Sequence, residues 1–139
     1  MPPGALQPAD RVMSMSYAEF WSRYLRAHAD PRTRALHYIG TFGAAAFVVL
    51  GAASADWRWL VAAPLVGYGP AWLGHAVFEH NRPQTFTHPV WSLLSDFRML
   101  LLFLAGRLGD ELRRREIESR EIESREIESR EIESREIER

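Results

Sequence analysis

HYIGTFGAAAFVVLGAASA (residues 37–55), DWR (56–58) and WLVAAPLVGYGPAWLGHAVF (59–78) decide how the chain is built. The first run carries no formal charge with His37 neutral, and His75 is the only ionisable side chain of the second. At 1.5 Å rise per residue, nineteen or twenty apolar residues reach across a hydrocarbon layer of about 30 Å. Three residues between them force a tight antiparallel hairpin, with Trp57 and Trp59 suited to a membrane boundary. Gly40, Gly43, Ala44, Gly51, Gly67, Ala71 and Gly74 let the two helices approach closely, and Pro64 and Pro70 are expected to bend the second.

The hairpin sets a register. If it turns near residue 56, His37 lies nineteen positions before the turn and His75 nineteen after, so both belong at one depth near the open end of the pair. Glu79 follows His75 by four residues, on the same helical face, while His80 is rotated away by roughly 140°. His28 precedes the first run and His88 follows the second, which places both at the same end. Four histidines and Glu79 therefore converge on one small volume.

Composition narrows what such a cluster does. The 139 residues contain no cysteine and no lysine, excluding disulfides, thiolate chemistry, iron–sulfur clusters and Schiff bases. Any metal must be held by His, Asp or Glu, and such ligands suit Fe(II) or Zn(II). Glu79 is read as a ligand or as a carboxylate orienting His75, the alternative being an ion pair with Arg82. Haem ligation through His37 and His75 is a rival, as is a structural hairpin whose histidines only hydrogen-bond. Twelve arginines against eight acids give residues 1–115 a charge of about +4, and the last 24 residues carry about −5. Neither makes the basic face that nucleic acid requires.

Residues 1–15 read as a disordered lead-in. A helical membrane domain is expected over 16–115, opening with the capping box Ser16-Tyr17-Ala18-Glu19. Tyr17, Phe20, Trp21, Tyr24, Leu25 and His28 then form an aromatic stripe, either interfacial or core. Asp30-Pro31 closes that helix. After Pro89, a helix to about Leu108 has Trp91, Leu94, Phe97, Leu101 and Leu104 on one side and is expected to lie along the interface or to re-enter the membrane partly. Asp96 in its middle is read as a structural carboxylate, with approach to the metal site as the alternative. Arginines flank both ends of the hairpin and are sparse at its tip, so both termini face the cytoplasm. Residues 116–139 repeat Glu-Ile-Glu-Ser-Arg. A five-residue period winds the isoleucines around a helix, so a solvated single helix held by Glu–Arg pairs is expected rather than a coiled coil.

Tyr24 to His28, Pro31, Arg34-Ala35-Leu36-His37-Tyr38-Ile39-Gly40-Thr41, Gly67-Tyr68, Ala71-Trp72-Leu73-Gly74-His75, Glu79, Asn81-Arg82-Pro83, Thr85-Phe86, His88-Pro89 and Trp91-Ser92-Leu93 together give a specific resemblance. The chain resembles, from about Tyr17 to about Met99, a family of small membrane proteins that includes the iron(II)-dependent 2-hydroxy fatty acid dioxygenase of phytosphingosine breakdown. The resemblance implies metal ligation by His28, His37, His75 and His88. It also implies Fe(2+) as cofactor and α-oxidation of a 2-hydroxy fatty acid by dioxygen, releasing carbon dioxide and an acid one carbon shorter. Glu79 and Arg82 are the further catalytic candidates, with Arg82 or Arg34 holding the substrate carboxylate. The expected partners are the lipid bilayer, the fatty acid and dioxygen. The expected location is integral to a bacterial inner membrane or the endoplasmic reticulum. Oligomeric state is left open.

Overall fold

A computed structural model describes residues 15–137, so the expected lead-in falls outside the described residues except at its end. The elements are α1 (Tyr17–Arg26), α2 (Pro31–Ser54), α3 (Trp57–Gly74), a π-helical turn (His75–Glu79), a 3-10 turn (Gln84–Phe86), α4 (Pro89–Leu104) and α5 (Leu108–Ile137). The fold is all-α, as expected, with no strand among the described residues. It divides into two compact units, one ending at Leu101 and one beginning at Leu102.

Local chemistry starts and stops each helix of the first unit. Ser16 caps α1 through the full capping box: its hydroxyl accepts from the Glu19 amide and its own amide donates to the Glu19 carboxylate. Asp30 caps α2, accepting from the Arg32 amide, with Pro31 in the first turn where its missing N–H costs nothing. The same dipeptide that was expected to close α1 thus opens α2, while α1 has already ended at Arg26. Side-chain and then backbone hydrogen bonds from Arg32 hold the Asp30 carboxyl at about 2. Ala55, in the left-handed region at φ 55°, and Asp56, which caps α3, are the whole link between α2 and α3. The hairpin is one residue tighter than expected, because Trp57 and Arg58 already belong to α3.

Small residues set how close the two helices come. A Cβ on Gly40 would overlap the Gly67 carbonyl oxygen, and one on Gly74 would lie 3.2 Å from the Cα of Thr33. Tyr68, Gly67 and Ala63 of α3, and Thr41 and Ala44 of α2, then line one wall of a half-open cavity of about 520 Å³, with Leu93, Asp96 and Phe97 of α4 along its other side.

The faces are distributed inside out. α2 buries Thr33, His37, Gly40, Thr41 and Gly51 while exposing Ile39, Phe42 and Val49; α4 buries Ser92, Ser95, Asp96 and Met99 while exposing Leu93, Leu94, Phe97 and Leu101. The apolar stripe of α4 therefore faces outward and its polar stripe inward. α1 does the opposite: Phe20, Trp21 and Tyr24 are completely buried. Of the two readings of its aromatic stripe the core one holds, and the stripe does not face lipid. Among the described residues only α2, at 24 residues, is by itself long and apolar enough to cross a membrane. The eighteen-residue α3, with Arg58 in its first turn and Pro64 and Pro70 inside, does not reach that standard alone.

In the second unit, α4 ends in a Schellman motif. Gly106, at φ 67°, donates to the Phe103 carbonyl and Arg107 to the Leu102 carbonyl. A break therefore separates α4 from α5, and the C-terminal helix is not continuous with its predecessor. At the start of the repeat in α5, Arg120 pairs with Glu116 at 2.6 Å and Arg115 with Glu118 at 3.0 Å. Every repeat isoleucine is more than half exposed.

Candidate metal centre

Three histidines from three separate segments meet. His28 follows α1, His37 lies two turns into α2 and His75 opens the π-helical turn after α3; all are buried. The Nε2 atoms of His28 and His37 are 3.0 Å apart, and those of His37 and His75 are 3.2 Å apart. One ligand nitrogen from each lies within 4.8 Å of the others.

The opposite nitrogens fix the chemistry. His28 Nδ1 meets the Tyr24 carbonyl oxygen at 2.5 Å, His37 Nδ1 meets Asp96 Oδ1 at 2.8 Å and His75 Nδ1 meets Asn81 Oδ1 at 2.7 Å. The Asn81 amide group donates to the Ala27 carbonyl at 3.1 Å, which fixes which end of that side chain faces His75. Each of the three partners is an acceptor, so each Nδ1 carries a hydrogen and each neutral ring presents an Nε2 lone pair to the others. Three lone pairs pointing at one another in a buried site repel unless a cation sits among them. A proton would make a buried imidazolium, which burial opposes. Accordingly, burial first and the neighbouring His37 and His75 next push the His28 pKa well below its usual range. The donor set fits a metal ion, with outer hydrogen bonds that set each ring's tautomer and aim.

The partner of His37 is itself held. The Tyr24 hydroxyl donates to the same Asp96 oxygen, and its ring stacks on His28 at 4.0 Å between centroids. Burial, reinforced by the Asp96 charge, raises the Tyr24 pKa, so this phenol remains a donor.

The other sequence-derived candidates take different places. His88 lies outside the trio. Its ring stacks on Trp91 at 5.3 Å and contacts Phe20 at 5.4 Å, and its buried Nδ1 has no hydrogen-bond partner. Glu79 Oε1 accepts from the Asp30 amide at 2.7 Å, tying the π-helical turn to the start of α2. The atom that meets His75 Nδ1 is Asn81 Oδ1, not a Glu79 oxygen. Arg82 is exposed on the loop after Asn81. Arg34 Nη1 donates to the His28 and Ala29 carbonyls, at 2.8 and 2.7 Å. His80 is exposed, in the left-handed region at φ 53°.

Sequence reasoning gave Asn81 and Tyr24 no part at the centre and favoured a structural role for Asp96. The signal for Asp96 was an acid in the middle of an apolar helix. Asn81 gave none, because the left-handed turn at His80 that swings it back is not legible from residue types. The 3.2 Å between His37 and His75 also leaves no slot for a porphyrin plane between their rings, against the haem alternative.

Residues 14–108 match the family described as 2-hydroxy-palmitic acid dioxygenase Mpo1-like. The chain belongs to this family. No curated protein and no solved structure matches it. The Mpo1-like match takes in all three histidines with their hydrogen-bond partners, and it ends where α5 begins.

Proposed function

We propose that the protein is an iron(II)-dependent membrane dioxygenase that shortens a 2-hydroxy fatty acid by one carbon. The observation that carries this is the meeting of three Nε2 atoms whose Nδ1 atoms are all committed to acceptors. His28, His37 and His75 would hold the iron, and the activity named for the family supplies the substrate class.

The balance needs no further reductant. The 2-hydroxy acid and dioxygen give the shortened acid, carbon dioxide and water; the carbinol carbon and the carboxyl carbon together lose four electrons, which dioxygen accepts. Iron(II), when bound, supplies the centre at which dioxygen is activated. Asp96, Asn81 and the Tyr24 carbonyl keep the three rings aimed and neutral. The cavity between α2, α3 and α4 takes the acyl chain, and burial of the site keeps bulk water away. Arg82 is the candidate cation for the substrate carboxylate, since Arg34 is occupied with backbone carbonyls.

The outward apolar faces of α2 and α3 support a membrane location, because outward Phe42 on α2 and Leu65 on α3, 70% and 75% exposed, suit lipid better than water. The α2–α3 hairpin then sits in the bilayer of a bacterial inner membrane or the endoplasmic reticulum, with both termini cytoplasmic. The test is metal analysis with oxygen uptake and carbon dioxide release on added 2-hydroxy fatty acid, for wild type and His75→Ala. Absence of stoichiometric iron, or oxygen uptake unchanged in the variant, sinks the reading. Unchanged turnover in Arg82→Ala removes that residue alone.

A further inference from the structure

Asp96 belongs to two sites at once. Its Oδ1 accepts from both the Tyr24 hydroxyl and His37 Nδ1, and the residue also lines the cavity between α2, α3 and α4. With Oδ1 doubly engaged, Oδ2 is the oxygen left for a ligand. The cavity wall is otherwise apolar, made of side chains such as Ala45, Val48, Leu60, Ala63 and Leu93, with Thr41 and Tyr68 as its other hydroxyl bearers. Thr41 lies one turn beyond His37, which places the polar end of the cavity beside the histidine trio.

A carboxylate oxygen that an occupant desolvates without offering it a donor is costly, so the head of any occupant is selected by what it offers that oxygen. A ligand carboxylate placed there would set two like charges together; an alkyl head would leave the oxygen desolvated and unpaired. A hydroxyl beside the carboxylate can donate to it.

Building on the functional reading above, we propose that Asp96 Oδ2 accepts a hydrogen bond from the 2-hydroxyl of the fatty acid and is the residue that distinguishes hydroxylated from plain acyl chains. This discrimination does not require iron, which separates it from any preference that arises by chelation. A hydrogen bond to a charged group corresponds to roughly ten- to a hundredfold in affinity.

The experiment measures dissociation constants of 2-hydroxypalmitate, 2-methoxypalmitate and palmitate by equilibrium dialysis on the full chain in detergent, with and without iron(II). The methoxy compound keeps the oxygen and loses the donor. Wild type without iron should bind 2-hydroxypalmitate roughly ten- to a hundredfold more tightly than either analogue. Equal binding of the hydroxy and methoxy acids overturns the proposal without any variant.

Asp96→Asn keeps an oxygen for Tyr24 and His37 and turns an amide donor toward the cavity. Its preference for the hydroxy over the methoxy acid should collapse, since the amide can donate to either oxygen, whereas a merely structural role would weaken all three ligands together. A preference that survives in this variant also overturns the proposal.

Val48→Trp, which fills the cavity, should abolish binding of all three. If it does so while the preference survives Asp96→Asn, the acyl site stands and the role of Asp96 falls. If it changes nothing, the cavity is not the acyl site and the inference falls with that placement. An intact preference without oxygen uptake leaves Asp96 in its role and sinks only the oxygenase reading.

Discussion

His37 and His75, 38 residues apart in the chain, face each other through their Nε2 atoms at 3.2 Å. Each is prevented from turning away by an acceptor behind it, Asp96 for the one and Asn81 for the other. Affinity for a metal held by the trio would therefore depend on residues outside it.

Asn81→Ala removes the acceptor behind His75 and frees that ring to rotate. Affinity for iron(II) should fall roughly 10–100-fold, with Asn81→Asp retaining most of it because an oxygen remains in place. Competition against a chelator of known affinity checks this. Equal affinity in wild type and Asn81→Ala would show that the backbone alone aims His75.

Gly40 and Gly69 make a matched pair. A methyl at Gly40 collides with the Gly67 backbone, which cannot swing aside, while nothing lies within 4 Å of the same atom at Gly69. Gly40→Ala should destabilise the hairpin by about 1–3 kcal/mol. Gly69→Ala should be neutral or stabilising by up to about 1 kcal/mol, since alanine is the better helix former. Thermal unfolding in one detergent compares the two.

His28 ties stability to pH. Its folded pKa lies well below the ordinary 6.5, so between those two values the unfolded chain binds a proton that the folded chain does not. This contribution is present above about pH 6.5 and is lost as pH falls toward the folded value. Metal-free protein should melt at a lower temperature at pH 5.5 than at pH 7.5, and His28→Asn should flatten the dependence. A slope unaltered by that substitution assigns the effect elsewhere.

Deleting residues 116–139 removes a solvated helix that contributes none of the three histidines or their partners. Iron content and turnover should match the full chain. A loss of either on truncation would give the repeat a part in the site.

The hairpin, its turn and the meeting of His37 with His75 were legible because they follow from two apolar runs and their lengths. The capping box was legible because Ser16 and Glu19 bond locally. What escaped was decided by packing. The stripe of α1 could serve a core or an interface, and only its burial against α4, with the Tyr17 hydroxyl 3.1 Å from Ser95 Oγ, resolves that. Glu79 and Asn81 both lie within reach of His75 in sequence. A π-helical turn ending at a left-handed His80 gave the imidazole to the amide and the carboxylate to Asp30. His88 fell outside the cluster because Phe20 and Trp91 hold its ring.

In the proposed membrane location, the outward leucines of α4 and the inward Ser92, Ser95 and Asp96 would impose an order on biogenesis. A lone segment bearing Asp96 would enter hydrocarbon with an unshielded charge, and a lone α2 would carry His37 and Thr41 the same way. Each becomes compatible with lipid only when the other hides its polar side. Insertion and assembly would then be a single event, and chains stalled between the two should be the ones that quality-control proteases remove.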